Sequence, residues 1–269
     1  TARTLELKLP EHEKVLATAH VLDHPQTGDI LVGWESAIGE PLLRSDISAE
    51  EEGKLVAALK EHLPAGALVL AMPATSHRLG ALVDAEFPLA AADDRDTLYL
   101  PPPWRNARDA VAETESRWTG GRDGDDMFRE FVEAMVSEDK YGVARLQVMA
   151  GGAESYLLLH VRDAFDVGVA APDRIGVGLR DFPGGAHVHD MTRQVKAWMG
   201  EEGHASYAVL PRDQGTIRAW FLSEAKDKSS LIGQLLPFNT ARIGMIAGTT
   251  LVFQHGGYWV YRLAPIRAG

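Results

Sequence analysis

The sequence predicts an α/β or α+β fold made of two sheet-and-helix subdomains, the second of which is richer in antiparallel strands. Strand and helix patterns alternate over the first hundred residues, whereas short strand patterns follow one another closely in the second half. A stretch rich in glycine and aspartate separates the two regions. We therefore predict an α/β subdomain over residues 1–105, a linker or long loop over 106–124, and an α+β subdomain over 125–269.

The predicted first subdomain begins with strands. Residues 1–8 alternate charged residues with leucine, which is typical of a strand. Residues 15–21 and 29–34 are apolar segments on either side of a His-Pro-Gln-Thr-Gly turn, and we expect them to form a hairpin or a short meander.

A helix, a strand and a second helix are predicted next. Ser48 precedes Glu51 by three residues, which is the spacing of a capping box, and a proline ends the helix that follows. The apolar run 67–72 predicts a buried strand, after which Thr75 or Ser76 can cap a further helix. This order favours a covered sheet with some parallel pairing.

The predicted second subdomain begins with an amphipathic helix, because apolar residues recur at helical spacing between 128 and 136. Four strand patterns follow, and we expect them to form an antiparallel meander. They span residues 143–149, 156–161, 165–170 and 175–179.

The last third of the chain predicts two helices and five strands. Asp190 can cap a helix that ends at Gly200, and Gly256-Gly257 is typical of a two-residue hairpin turn. The other helix spans residues 231–236, and the strands span 206–210, 216–222, 242–246, 250–254 and 258–263.

Composition excludes several kinds of chemistry. The chain has no cysteine, so disulfides, thiolate nucleophiles, cysteine-bound zinc and iron–sulfur clusters are excluded. It has no run of eighteen apolar residues, which predicts that no segment spans a membrane. The first residues lack the apolar region of a secretory signal, so we expect a soluble, cytoplasmic protein.

Charge is distributed unevenly along the chain. The formal net charge is −11, but residues 1–150 carry −12 and residues 151–269 carry +1. Acidic residues are absent after Asp227, where four cations remain. The C-terminal surface could therefore bind a small anionic ligand or an acidic region of a protein, unless these cations simply balance nearby carboxylates. The overall acidity argues against a nucleic-acid partner.

The segment from Phe182 to Asp190 concentrates residues that handle metals and protons. His187 and His189, at i and i+2 on an extended segment, could bind one divalent transition metal, with Asp190 or Asp163 as third ligand or general base. Alternatively, both histidines form local hydrogen bonds and Asp190 is an ordinary helix cap. Other candidates for the third ligand are His160, Asp166 and His204.

The same segment could instead bind an anion. A glycine pair before a helix N-terminus presents free backbone N–H groups, so Gly184, Gly185 and Arg193 are the candidate ligand-binding residues. The carboxylate of Asp190 argues against this interpretation, because it would occupy the same donors and repel the ligand.

The remaining patterns favour binding over catalysis. The chain has no Gly-x-Ser-x-Gly motif, and His160 in its apolar strand is typical of a core histidine. The six dispersed tryptophans are typical of core or interface anchors. We predict a non-catalytic binding or regulatory protein whose partner or ligand surface lies at the groove between the subdomains. The alternative is a metal-dependent hydrolase or oxygenase that uses His187 and His189 as ligands.

Overall fold

The helices and strands of the computed structural model form an α+β fold with several sheets, as the sequence predicted. The described residues divide into two compact units, one within residues 1–46 and the other within residues 47–269. The structure describes residues 2–8, 15–24, 28–36, 49–92, 126–183, 188–211 and 216–266.

The first unit contains a three-stranded antiparallel sheet in the order β1-β2-β3. The central strand places Ala19 opposite Leu5 on one side and Trp34 on the other. Ala19 is buried, which is consistent with its position in the middle of the sheet. The strands predicted here are confirmed as β1 (Ala2–Lys8), β2 (Val15–His24) and β3 (Gly28–Ser36).

The second unit begins with the predicted order of helix, strand and helix. Leu55 and Leu59 form the buried face of the first helix, and glutamates in its first turn complement the helix dipole. These elements are α1 (Ala49–His62), β4 (Ala67–Leu70), α2 (Pro73–Gly80) and the short β5 (Ala85–Glu86).

The predicted cap of α2 is wrong. The helix begins at Pro73, because the fixed φ of proline suits the first helical turn. Ser76 therefore lies inside the helix, where its buried hydroxyl donates a hydrogen bond to the Ala71 carbonyl at 2.9 Å.

Three helices and one strand follow, so the predicted antiparallel meander is wrong. The segments 143–149 and 165–170 are helical. Val143 and Leu146 are buried three residues apart, which is helical spacing. The strand predicted at 156–161 is confirmed. The elements are α3 (Asp126–Val136), α4 (Asp139–Met149), β6 (Ser155–His160) and α5 (Asp163–Ala170).

The C-terminal third follows the prediction more closely. The helix predicted to begin at Asp190 begins at Val188 and runs past Gly200, and residues 242–246 form turns instead of a strand. Gly256, with φ of 54°, forms the predicted hairpin turn. The elements are β7 (Val177–Phe182), α6 (Val188–Glu202), β8 (Ser206–Pro211), β9 (Ile217–Leu222), α7 (Leu231–Leu235), β10 (Thr249–His255) and β11 (Tyr258–Leu263).

Two sheets organise the second unit. The larger has the order β10-β11-β6-β4-β5, in which β4 is parallel to β5 and β6, and β11 is antiparallel to β6 and β10. The smaller is antiparallel, in the order β7-β9-β8. Because β4 and β6 are parallel, their carboxyl ends lie at the same edge, where α2 and α5 begin.

Apolar side chains cover both faces of the five-stranded sheet. Leu157 and Leu159 point into the core formed with α3, α4 and α5, whereas Leu158 points to the opposite face beside α1. The predicted linker 106–124 lies outside the described residues, so the predicted division of the chain stays a prediction. The strands β4 and β6, which flank this linker in sequence, pair in one sheet.

Candidate functional site

Only part of the sequence-predicted site falls within the described residues. Gly184, Gly185 and His187 lie outside them. His189 and Asp190 lie in the first turn of α6, where the structure describes the backbone alone. The backbone at His189 is thus helical, not extended as the metal hypothesis assumed. The metal site and the anion site both stay predictions.

The other candidate residues lie in two places. Asp163, Asp166 and His160 are buried where β6 passes into α5. Arg193 is exposed on α6, and His204 precedes β8. Among the residues whose placement is described, no group of three or more histidines and carboxylates is arranged to hold a metal ion. The helices within the described residues are too short or too polar to cross a membrane.

A set of buried and half-buried ionisable side chains lies at the carboxyl end of β6. We call Glu51, Arg78, His160, Asp163 and Tyr258 the polar cluster. The strand register places Tyr258 of β11 opposite His160, the last residue of β6. Helices α1, α2 and α5 contribute the other three members.

His160 is the centre of the polar cluster and is fully buried, as the sequence predicted for a core histidine. Its Nδ1 atom accepts a hydrogen bond from the Arg162 backbone N–H at 3.1 Å. Its Nε2 atom lies 3.7 Å from Oε1 of Glu51, which is an ion-pair distance but too long for a hydrogen bond. Since Nδ1 accepts, a neutral ring carries its proton on Nε2, facing Glu51.

Asp163 closes the turn between β6 and α5. Its Oδ2 atom accepts a hydrogen bond from the His160 backbone N–H at 2.7 Å. Burial raises the pKa of Asp163 to about 6, although His160 and Arg162 favour the charged form. The carboxylate thus satisfies a buried backbone donor and is costly to keep ionised.

Glu51 joins helix α1 to the β10–β11 hairpin. Its carboxylate accepts a hydrogen bond from the Gly257 backbone N–H. Burial acts to raise the pKa of Glu51, but the interactions with His160 and the Gly257 N–H outweigh it and leave that pKa lowered. A Cβ atom at Gly257 would overlap the His160 ring and lie 2.7 Å from Leu210, so the contact requires glycine.

Tyr258 and Arg78 form the remaining side of the polar cluster. The Tyr258 ring packs edge-on against His160 with centroids 4.7 Å apart. Its buried hydroxyl makes no hydrogen bond of normal geometry with the described residues, but the Arg78 guanidinium lies near enough to interact with it. Burial raises the pKa of Tyr258, which keeps the phenol neutral. Arg78 donates hydrogen bonds to Glu52 at 2.8 Å and to the Ala74 carbonyl at 3.1 Å.

The geometry of the polar cluster favours a structural role. An imidazole beside a carboxylate is an arrangement that can transfer protons, but His160 is enclosed on all sides. Its hydrogen bond and those of Asp163 and Glu51 go to backbone groups of adjoining segments. We therefore interpret the polar cluster as the connection that holds α1, α5 and the hairpin against the sheet.

A different arrangement lies on the smaller sheet, where α6 packs on β7 and β9. We call Arg180, Phe182, Trp198, His204 and Phe221 the aromatic–basic face. The Trp198 ring contacts Phe182 and Phe221 edge-on, with centroids 5.5 and 5.1 Å apart. His204 stacks on Phe221 at 4.0 Å, and burial lowers the pKa of His204, although Glu202 opposes this. The Arg180 guanidinium lies 4.9 Å from the centre of the Trp198 ring.

An open cleft adjoins this face beside His204. Its volume is about 320 Å³, and α6, β8 and the segment after α7 form its walls. The hydroxyl of Ser206 donates a hydrogen bond to the Phe238 carbonyl and so joins two of these walls. The lining combines apolar, hydroxyl and cationic side chains, among them Lys196, Met199, Tyr207, Phe238 and Thr240.

Comparison with known proteins identifies the family. A family model described as HaoA-associated protein HaoB matches residues 1–263. The chain belongs to this family. No curated protein and no solved structure matches it.

Neither the polar cluster nor the aromatic–basic face of this HaoB-family chain was predicted from the sequence. Each set joins segments that are distant in sequence, so no single local spacing connects all of its members. The dispersed tryptophans were a partial signal, because they predicted core or interface anchors. Trp220 and Trp259 are buried in the core, whereas Trp198 is half-buried.

Proposed function

We propose that this chain is a non-catalytic accessory protein that binds HaoA. The observation that carries the proposal is the family match over residues 1–263, whose description names HaoA as the associated protein. An accessory protein needs a partner surface more than a reactive centre. This agrees with the binding role predicted from the sequence.

The chemistry of the described residues supports the proposal. The hydrogen bonds of His160, Asp163 and Glu51 go to backbone groups inside the fold. Arginine and tryptophan, which are enriched where proteins bind each other, lie together on the aromatic–basic face. The groove between the predicted subdomains and the cytoplasmic location stay predictions of the sequence.

Direct binding tests the proposal. Purified chain is titrated with purified HaoA by calorimetry, and the mixture is passed over a sizing column with light scattering. We expect saturable heat and a co-eluting complex of defined mass. An unrelated acidic protein of similar size is the control. The absence of both heat and co-elution at the highest soluble concentrations would overturn the proposal.

The metal-dependent alternative has its own test. Metal content is measured for purified wild type, His187→Ala and His189→Ala, with the exposed His62→Ala as the matched control. The accessory role predicts no stoichiometric transition metal in any of them. A stoichiometric metal that is lost on changing His187 or His189, but kept in the control, would favour the hydrolase or oxygenase.

A further inference from the structure

We propose that the aromatic–basic face and its cleft bind an acidic segment of HaoA that carries an apolar or aromatic side chain. This inference rests on the proposed function and adds the docking surface and the chemistry of the partner segment to it.

The first argument is that two cations beside this surface have no carboxylate partner within the described ranges. Arg180 projects from β7 over Trp198, and Lys196 lines the cleft from α6. By contrast, three other exposed or half-exposed arginines in the described part of the chain are paired: Arg145 with Glu130, Arg174 with Glu133 and Arg242 with Asp139. Cations without an ion-pair partner among the described residues, on a protein of net charge −11, make a local positive region that favours an acidic ligand.

The second argument concerns the rings. Trp198 is half-buried, and its ring is held by Phe182, Phe221 and the Arg180 guanidinium. A side chain that is already fixed loses little conformational entropy when a partner covers it. Arginine stacked on tryptophan therefore offers both a preformed apolar contact and a donor for a carboxylate.

The third argument is the cleft. Met199 and Phe238 supply apolar walls, and Lys196 lies among the lining residues. Its volume of about 320 Å³ is that of a small ligand pocket, which suits one large apolar side chain of the partner. His204 contributes to both the ring stack and the cleft, so the two parts form one continuous surface.

Carboxylates at the end of α6 set a limit to the basic region. Glu201 and Glu202 are exposed there, and Glu202 lies near enough to affect His204. Because the pKa of His204 is lowered, that ring is neutral at pH 7 and adds no positive charge. Attraction of an acidic segment thus depends on Arg180 and Lys196, which makes these two residues the decisive test.

The experiment compares charge reversals in full-length chain binding to HaoA. The test variant carries Arg180→Glu with Lys196→Glu, and the matched control carries Lys60→Glu with Lys226→Glu, two exposed cations elsewhere. We expect the test variant to bind HaoA at least about tenfold more weakly and the control to bind like wild type. The conservative pair Arg180→Lys with Lys196→Arg should restore binding. Wild-type affinity should fall as salt is raised.

The outcomes separate the two proposals. If wild type does not bind HaoA at all, both the accessory function and this inference fail. If wild type binds and the Arg180→Glu, Lys196→Glu variant binds equally well, the accessory function stands and this docking surface is wrong. If the control reversal weakens binding as much as the test reversal, the attraction is general and the assignment to this face is also wrong. All variants are exposed-site changes, and circular dichroism verifies their folding.

Discussion

The polar cluster and the aromatic–basic face use similar side chains but differ in what satisfies them. In the polar cluster, Arg78 bonds Glu52, and His160 accepts a backbone hydrogen bond. In the aromatic–basic face, Arg180 lies over a tryptophan ring and His204 stacks on a phenylalanine. The first set is enclosed by the fold and bonds mainly to it, whereas the second is open to another molecule.

This difference shows that residue type alone is a poor guide to function in this chain. A histidine beside a carboxylate suggests a catalytic site, yet His160 is enclosed by the fold and forms a hydrogen bond with the backbone. A tryptophan at helical spacing suggests core, yet Trp198 reaches the surface beside the Arg180 guanidinium, which has no ion-pair partner among the residues the structure describes. Burial and partner groups decide which role each residue has.

The largest expected effect comes from closing the space beside His160. Gly257→Ala places a methyl group against the imidazole and Leu210, so we expect the free energy of unfolding to fall by about 3 kcal/mol. Gly53→Ala is the control, because a methyl group there meets nothing within 4 Å and should stabilise α1 by about 1 kcal/mol. Urea denaturation measures both. Equal effects of the two substitutions would show that the packing of the polar cluster does not matter for stability.

Asp163 should make stability depend on pH. Its folded pKa of about 6 lies above the ordinary 3.8, so the folded state holds this proton more tightly than the unfolded state. That contribution is fully present below the ordinary pKa and is lost as pH rises through 6. The unfolding free energy of wild type, minus that of Asp163→Asn, should therefore fall by roughly 2 kcal/mol between about pH 4 and pH 7.

Denaturation of both proteins across this pH range provides the measurement. Taking the difference removes the titration of the other carboxylates, which both proteins share. A difference that does not change with pH would mean that burial does not raise the pKa of Asp163 in the folded protein.

Two buried tyrosines sharpen the comparison within the core. The Tyr261 hydroxyl donates a hydrogen bond to the Leu235 carbonyl, whereas the Tyr258 hydroxyl makes none of normal geometry with the described residues and has only the Arg78 guanidinium beside it. We expect Tyr261→Phe to lower the unfolding free energy by about 1 to 2 kcal/mol, and Tyr258→Phe to leave it unchanged or slightly raised. Thermal and urea unfolding of the two variants and wild type measure these free-energy changes. A larger loss for Tyr258→Phe would reveal a hydroxyl partner that the structure lacks.

The smallest expected effect on stability lies at the aromatic–basic face. Arg180→Ala and Lys196→Ala should each change the unfolding free energy by less than about 0.5 kcal/mol, because both side chains are exposed and neither forms an ion pair in the described part of the chain. The same denaturation assay checks this. Losses as large as those in the polar cluster would mean that these cations support the fold instead of a partner.

Sequence patterns predicted the elements whose signals are local. Glu51 in a capping box marked α1, the apolar run 67–72 marked β4, and Gly256-Gly257 marked the last hairpin. They failed for α4 and α5. Residues 163–167 are all buried, so α5 has no alternation of polar and apolar faces from which its period could be inferred.

The sites were harder to predict because tertiary contacts create them. Asp163 was proposed as a metal ligand or general base, but its partner is the backbone of His160 three residues earlier. Glu51 meets His160 and Gly257 only after α1 packs beside the sheet. Similarly, Arg180 and Trp198 come together only when α6 folds over β7. Apart from the contact of Asp163 with the His160 backbone, no local spacing in the sequence encodes these encounters.

Hydrogen exchange of the chain, with and without HaoA, tests the central claim most directly. We predict that HaoA slows backbone exchange in β7 and in the part of α6 and β8 that surrounds Trp198 and the cleft, while β6, α5 and β11 are unchanged. No slowing around Trp198, or slowing confined to the segments of the polar cluster, would contradict the account.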